Sequence, residues 1–404
     1  MLELLAPAGN LEKLKTAFYF GADACYFAGK KYGLRAFADN FKDDELEKSI
    51  EYAHSLNKKA YITLNIIAHN TDFEGLKEYV LFLEKIKADA VICADAGIIK
   101  LIRETAPNLP IHISTQANVT NKYSAKFFAD FGVSRIILAR ELSLPEIKEI
   151  REFIPKSVEL ETFVHGAMCI SYSGRCLLSN YLSGRDSNRG ECAQVCRWAF
   201  SITEKNRKGE QYDIEEDERG TYILNSKDLN MIEYLNELVK AGVTSFKIEG
   251  RMKSPYYVAN VVNAYRRALN YLQSLKNIDD YKVNEILVKE LEKSSHRKYT
   301  TGFYFNAKDK ENLLTSNPVQ TSEFIAIVKE KMSENTYKIE QRNKFCIGDE
   351  LEILTPSENF NKYFIVKKLY DLNNNEVQVA NLVQQELIIH CPYKLNEGDI
   401  LRTV

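Results

Sequence analysis

Four of the chain's eight cysteines lie within residues 161–198, ETFVHGAMCISYSGRCLLSNYLSGRDSNRGECAQVCRW, while the other four are scattered singly. Six residues separate Cys169 from Cys176, fifteen separate Cys176 from Cys192, and three separate Cys192 from Cys196. Thiolates so placed can converge on one metal centre if the segment folds back, and soft sulfur ligands select iron–sulfur clusters or zinc. Gly166, Gly174, Gly184 and Gly190 stand where such a fold needs turns. Zinc sites usually pair cysteines as C-x2–4-C knuckles, and only Cys192/Cys196 fits, so the spacing favours iron–sulfur, with zinc as the alternative. The C-x3-C-x2-C pattern of radical enzymes is missing, since Ala199 occupies the third position. Disulfides need an oxidising compartment, and the N-terminal MLELLAPAGNLEK lacks a charged stretch followed by a long apolar run. The expectation is a cytoplasmic protein with free thiols.

A formal charge of −2 argues against bulk attraction to nucleic acid or membrane, so any RNA contact requires a local basic patch. No apolar run approaches the roughly 20 residues that span a bilayer. Short apolar runs at 2–8, 24–28, 60–66, 90–94, 111–115, 135–139 and 158–165 read as buried strands. Amphipathic stretches at 11–20, 43–56, 73–86, 97–105, 122–131 and 144–153 alternate with them. Two more strands, 222–225 and 245–248, flank a helix at 230–241. Such repetition predicts an α/β fold, a (β/α)8-type (TIM-like) barrel, although nine candidates stand where eight are needed. The mixed-charge stretch 204–219 reads as an exposed loop. A long helix at 255–275, opened by proline, closes a barrel domain spanning residues 1–275 with its Cys-rich insertion at 166–198. Residues 276–319 read as a helical linker. Residues 320–404 read as a small antiparallel β-barrel, with short alternating strands at 324–328, 336–339, 350–353, 363–366, 376–379 and 387–390.

In such a barrel the chemistry sits at the C-terminal ends of the strands. Asn65, Asp95, Gln116, Arg140, Glu141, His165, Asn225, Lys247, Glu249 and Arg251 fall there, and the cysteine segment leaves directly from the seventh strand. Lys247 and Arg251, flanking Glu249, suit a clamp for a carboxylate or phosphate; a salt-bridged rim is the plain alternative. His165 suits a proton donor. Period-two alternation puts Glu161 and Phe163 on the same face as His165, and a buried Glu161 then requires a cationic partner. Gln116 and Asn65 suit substrate orientation. Arg175, Arg185, Arg189 and Arg197 give the cysteine segment a positive excess suited to RNA phosphates, and Tyr172, Tyr181 and Trp198 suit base stacking. Equally, arginines screen a negative cluster and aromatics pack around it.

The segment resembles the defining stretch of the peptidase U32 family at Glu161, Phe163, Gly166, Ala167, Cys169, Ser173, Gly174, Cys176 and Ser179. Its continuation through Arg185, Asn188, Gly190, Cys192, Cys196, Arg197 and Trp198 resembles the branch that makes 5-hydroxyuridine at the tRNA wobble position. LLAPAGNLEKLKTAFYFGADACYF, SFKIEGRMKSPYYVA, HRKYTTGFY and FCIGDELEI extend the resemblance over nearly the whole chain. It implies a barrel-like catalytic domain and oxygen-independent hydroxylation of wobble uridine. It also implies an iron–sulfur cluster, of 4Fe-4S type, on Cys169, Cys176, Cys192 and Cys196, with prephenate as source of the hydroxyl group. Glu161, His165, Lys247, Glu249 and Arg251 are the catalytic candidates; Asn65, Gln116, Arg175, Arg185, Arg189 and Arg197 are the substrate-binding ones. The expected partners are tRNA and a small carboxylate co-substrate, with room for a homo-oligomer or a partner subunit. The alternatives are a collagenase-type peptidase, for which neither H-E-x-x-H nor G-x-S-x-G is present, and a non-enzymatic RNA-binding scaffold. Cys25 and Cys93, in apolar strands, read as core residues.

Overall fold

The computed structural model describes residues 2–34, 39–169, 171–198, 216–217, 220–221, 227–305 and 319–404. The strand expected at 222–225, its rim residue Asn225, most of the loop at 204–219 and the end of the linker lie outside the described residues.

Strands β1 (Glu3–Pro7), β2 (Ala24–Phe27), β3 (Lys59–Leu64), β4 (Ala90–Cys93), β5 (Ile111–Ile113), β6 (Arg135–Ile137) and β7 (Glu159–Ala167) pair in parallel, each with the next. β8 (Asp228–Asn230) runs antiparallel along the end of β7 and lies outside the ring. β9 (Ser245–Ile248) pairs in parallel with both β7 and β1 and closes the barrel with eight parallel strands. Closure needs no strand at 222–225.

The helices between strands form where apolar residues recur at helical spacing behind a capping side chain. In α1 (Leu11–Tyr19) the Asn10 side chain accepts from Lys13 N–H, and Leu14, Ala17 and Phe18 are buried. α2 (Asp43–Ser55) and α3 (Leu76–Lys85) follow, and Asp95 caps α4 (Ala96–Thr105) by accepting from Gly97 and Ile98. α5 (Lys122–Asp130), α6 (Leu144–Phe153), α7 (Leu178–Ser183, inside the cysteine segment) and α8 (Leu235–Lys240) complete the series. α9 (Pro255–Ser274) begins at a Ser254 cap with proline in its first turn and packs on β1.

The linker contains α10 (Glu285–Glu292), whose Glu290 is wholly buried against Arg402 at the C-terminus. Arg402 also reaches Glu352 at 2.8 Å and Asn260 of α9 at 3.0 Å, so a satisfied polar seam joins the two domains. Seven antiparallel strands make the main sheet of the C-terminal domain, in the spatial order Tyr363–Ile365, Glu350–Leu354, Ile400–Thr403, Phe324–Ser333, Thr336–Gln341, Glu386–His390, Leu369–Tyr370, and Phe345–Cys346 pairs with Val379–Ala380 beside it. The two end strands are four residues apart in sequence, Ile365 to Leu369, which limits their separation to about 14 Å. The sheet therefore curls back on itself, as a small barrel does. Its strands Ile400–Thr403 and Leu369–Tyr370 were not among the sequence candidates, and of the run at 376–379 only Val379 is in a strand, the two-residue Val379–Ala380 outside the main sheet.

Candidate active site

The barrel floor is a buried ion network. Arg135, at the start of β6, is 2% exposed and donates to Glu3, to Glu159 and, at 2.9 Å, to Glu161. Ser245 donates to Glu161 at 3.0 Å, and Tyr61 donates to Glu3 at 2.7 Å. Burial pushes the Glu3 carboxyl up, but Arg135 more than reverses this and leaves it below its ordinary value. Glu161 is completely buried and holds two cations, Arg135 and Lys247. The expected cationic partner exists, yet Glu161 lies beneath the mouth and does not line it; its place is that of an anchor for Lys247.

One layer higher, Lys247 donates to Glu161 Oε1 at 3.0 Å while its Nζ stands 4.2 Å from the Tyr26 ring centroid. A small hollow of ≈ 70 Å³ opens above it, lined by Asn65, Gln116, Arg140, Glu249 and Arg251 among others. Arg251 donates to Asn40 Oδ1 at 2.7 Å and to Thr63 Oγ1 at 3.4 Å. Asn65 is partly engaged, accepting from Leu34 N–H at 3.1 Å, and Tyr26 donates to Glu249 at 3.3 Å. Lys247, Glu249, Arg251, Asn65 and Gln116 thus meet around one opening, as the rim reading expected. Burial pushes the carboxyl of neighbouring Glu141 up.

His165 does not join them. The pairing of β7 with β9 shifts register at this point: Lys247 stands opposite Phe163, but Ile248 stands opposite His165. This irregularity breaks the period-two alternation and turns His165 to the outer face. There it is 1% exposed and packs among Tyr257, Tyr265 and Tyr299. The backbone carbonyls of the irregular turn are satisfied by tyrosine hydroxyls, Tyr304 donating to Phe163 at 2.6 Å and Tyr265 to Val164 at 2.8 Å. Burial pulls the His165 imidazole down to about 3, so it is neutral at physiological pH. It is a packing residue behind the site. Arg297 and His296 of HRKYTTGFY serve the same support, Arg297 pairing with buried Asp228 and His296 stacking on Tyr299.

The cysteine segment folds over the mouth. Gly166, at φ +107°, allows the departure from β7, because a Cβ there would meet the Glu249 carbonyl oxygen at 2.6 Å. Cys169, Cys176, Cys192 and Cys196 line one cavity of ≈ 340 Å³, and Gln116, Arg140 and Glu249 belong to its wall as well as to the hollow below. Arg140 fixes the junction by donating to Ala167 O and Ser173 Oγ, both at 3.0 Å; its position was noted in the sequence, but no role followed from it. Burial pushes the Cys176 thiol up, but hydrogen bonds from Ser171, the Ser179 and Leu178 backbone and Ser187 outweigh it and leave a net lowering, as suits a thiolate ligand. All eight cysteines are free, and burial pushes the Cys25 and Cys93 thiols well up, as expected of inert core residues.

Among the described residues no three His, Cys, Asp or Glu side chains are gathered closely enough to hold a single metal ion. The thiols surround a shared space and do not meet at a point. In a cluster each thiolate binds its own iron, so its ligands stand farther apart than the four around one zinc. Four thiols around one cavity are the donor set that an iron–sulfur cluster takes.

The arginines divide. Arg189 is committed to Asp72, 117 residues away in sequence, through two hydrogen bonds of 2.6 and 2.8 Å. Asp72 carries no sequence signal that would have paired it. Arg185 turns inward to the Glu191 and Cys192 carbonyls, while Arg175 is exposed. Arg197 lies in a short 3-10 turn, and its side chain is outside the described residues. Tyr172, Tyr181 and Trp198 are exposed.

The model of peptidase family U32 matches residues 9–314, and that of the peptidase family U32 C-terminal domain matches residues 320–402. The chain is 37% identical over 406 residues to tRNA hydroxylation protein P1 of Bacillus subtilis, covering 99% of this chain and 94% of the relative. It is 38% identical over 401 residues to tRNA hydroxylation protein P of Escherichia coli, covering 89% and 87%. A collagenase of Porphyromonas gingivalis is 34% identical over 277 residues, covering 66% and 65%. With a closed eight-stranded barrel, a cysteine-lined cavity over its mouth and family models matching residues 9–314 and 320–402, the chain belongs to peptidase family U32.

Proposed function

We propose that this protein hydroxylates tRNA, converting a wobble uridine to 5-hydroxyuridine without molecular oxygen, in the cytoplasm. The observation that carries the reading is the shared wall: Gln116, Arg140 and Glu249 border both the four-cysteine cavity and the polar mouth. Similarity to tRNA hydroxylation proteins over 99% and 89% of the chain supports RNA hydroxylation as the reaction class. Cys169, Cys176, Cys192 and Cys196 would hold a 4Fe-4S cluster, which supplies an electron-transfer or Lewis-acidic centre when bound. Arg251 and Lys247 supply fixed positive charge for a small carboxylate co-substrate, prephenate in our reading. Arg251 is the stronger candidate, because its planar fork can grip a carboxylate with two hydrogen bonds. Glu161 and Arg135 hold Lys247 in place, and Glu249, accepting from Tyr26, is the carboxylate available to move a proton at the mouth.

The similarity to a collagenase favours a peptidase as second reading. Against it stand the buried, raised thiols of Cys25 and Cys93 and the removal of His165 from the mouth, which leave these groups without a nucleophile–base pairing. Anaerobic purification tests the cofactor directly. Iron with acid-labile sulfide is expected, lost in Cys169→Ala and Cys192→Ala and kept in Cys346→Ala and Cys391→Ala. A colourless protein loaded with zinc refutes the cluster.

A further inference from the structure

A second cavity opens on the same end of the barrel, away from the cysteines. It has a volume of ≈ 290 Å³ and is lined by Lys30, Lys31, Lys42, Asp43, Gly75 and Tyr79. Lys30 and Lys31 follow β2 and Lys42 precedes α2, so all three come from one loop at the C-terminal end of a barrel strand, the face that carries chemistry in this architecture. Three lysines and one carboxylate, Asp43, line the cavity, with Asp44 and Glu45 following in the first turn of α2. Among the described residues none of the three lysines is in an ion pair, whereas Lys48, Lys58 and Lys59 nearby each have an acidic partner. At the wall, the Tyr79 hydroxyl is buried and has no hydrogen-bond partner among the described residues. Gly29 makes room for it, since a Cβ there would fall 2.2 Å from that oxygen.

Chain connectivity links the cavity to the candidate site. Its loop also supplies Leu34 to the mouth and Asn40 to Arg251. Gly75, on its other side, follows closely after Asp72, which holds Arg189 of the cysteine segment. A group seated between the lysines therefore touches the loop that braces Arg251 and, through Gly75, the loop whose Asp72 holds the cysteine segment.

Resting on the tRNA reading above, we infer that Lys30, Lys31 and Lys42 form a seat for backbone phosphate of the RNA substrate, fixing its register so that one base reaches the mouth. A chain with formal charge −2 gains nothing from its overall field in holding a polyanion, so a local concentration of cationic side chains must supply that attraction. Phosphate contacts of this kind position a nucleic acid without reading its sequence. Lysine suits the task, as a mobile point charge that tolerates variation in backbone path.

The test is tRNA binding by the full-length protein as a function of salt. The triple variant Lys30→Ala, Lys31→Ala, Lys42→Ala is compared with a control triple, Lys148→Ala, Lys156→Ala, Lys289→Ala, which removes equal charge from exposed positions elsewhere. The seat predicts affinity about tenfold or more weaker at low salt, and a slope of log affinity against log salt shallower by about 2, at roughly 0.7 to 0.9 per phosphate contact. The control should bind like wild type, and thermal unfolding should be alike in all three. Equal binding by both triples overturns the seat and leaves the tRNA reading standing. Wild-type protein that binds no tRNA overturns that reading and the seat together. Inorganic phosphate that protects wild type but not the Lys30/Lys31/Lys42 triple from thermal unfolding, with tRNA binding the same in both, makes this a small-anion site and also overturns the RNA assignment.

Discussion

Arg189 grips Asp72 with both terminal guanidinium nitrogens, at 2.6 and 2.8 Å, and so ties the cysteine segment to the loop between β3 and α3. Asn188 adds a backbone contact at the same place, its carbonyl accepting from Ile67 N–H at 3.1 Å. The segment is thus held near its departure from β7, where Arg140 donates to Ala167 and Ser173, and again at this ion pair. Hydrogen bonds from Arg189, its largest influence, keep the Asp72 carboxyl below its ordinary value. The tie is therefore fully present above the ordinary carboxylate range and is lost as pH falls through the lowered value. For Arg189→Ala we predict faster amide exchange across residues 171–198 at neutral pH, with exchange in the barrel strands unchanged. Unaltered exchange in the segment would remove the tie from the description.

Arg135 carries the barrel floor. Replacing it by Met leaves Glu3 and Glu161 buried close to one another with one cation fewer, a loss of about 3–5 kcal/mol for a broken buried pair. Urea unfolding measures it. Because Arg135 holds Glu3 below its ordinary value, the wild-type advantage exists above the ordinary carboxylate range and disappears as pH falls through the folded value. A loss below about 1 kcal/mol, the size of an exposed pair, would contradict the network.

His165 is neutral and faces away from the mouth. Its imidazole lies at about 3 in the folded chain against about 6.5 when unfolded, so the unfolded state binds more protons between these values and stability rises with pH across that window. Proton-sensitive NMR of the ring should show no titration between pH 5 and 8. His165→Gln should leave the shape of the pH–activity profile unchanged while lowering stability by about 1–3 kcal/mol through lost packing and hydrogen bonding. A profile that loses one limb in this variant would return His165 to the reaction.

Much of the arrangement around the mouth is legible in the sequence, and the exceptions have physical causes. Seven of the barrel strands showed as short apolar runs before the cysteine segment, with β9 after it, and the rim residues follow from where those runs end. The cysteines declared a shared cavity by clustering. His165 was misplaced because alternation along a strand presumes an unbroken ladder, and the register shift opposite Lys247/Ile248 leaves no mark in composition. Arg135 was hidden inside an apolar run, although its charge demanded the acidic partners it has. Arg189–Asp72 spans 117 residues, and only the folded chain brings such a pair together. Ile400–Thr403 was missed because a short strand near the chain end resembles the turns around it.

Arg251 reports on the co-substrate. Arg251→Ala should raise the KM for the small carboxylate about tenfold or more while leaving tRNA affinity unchanged, and Arg251→Lys should recover part of the loss by restoring charge without the planar fork. Steady-state kinetics with varied carboxylate separates these outcomes. Unchanged dependence on the acid in Arg251→Ala would take Arg251 out of that role.

Nucleoside mass spectrometry of tRNA from a strain lacking this protein tests the central claim most directly, when the strain is complemented with wild type, with Cys176→Ala or with Cys346→Ala. We predict that 5-hydroxyuridine is absent without the protein, restored by wild type and Cys346→Ala, and not restored by Cys176→Ala at equal protein level. A tRNA modification profile that is the same in all four strains would contradict the claim.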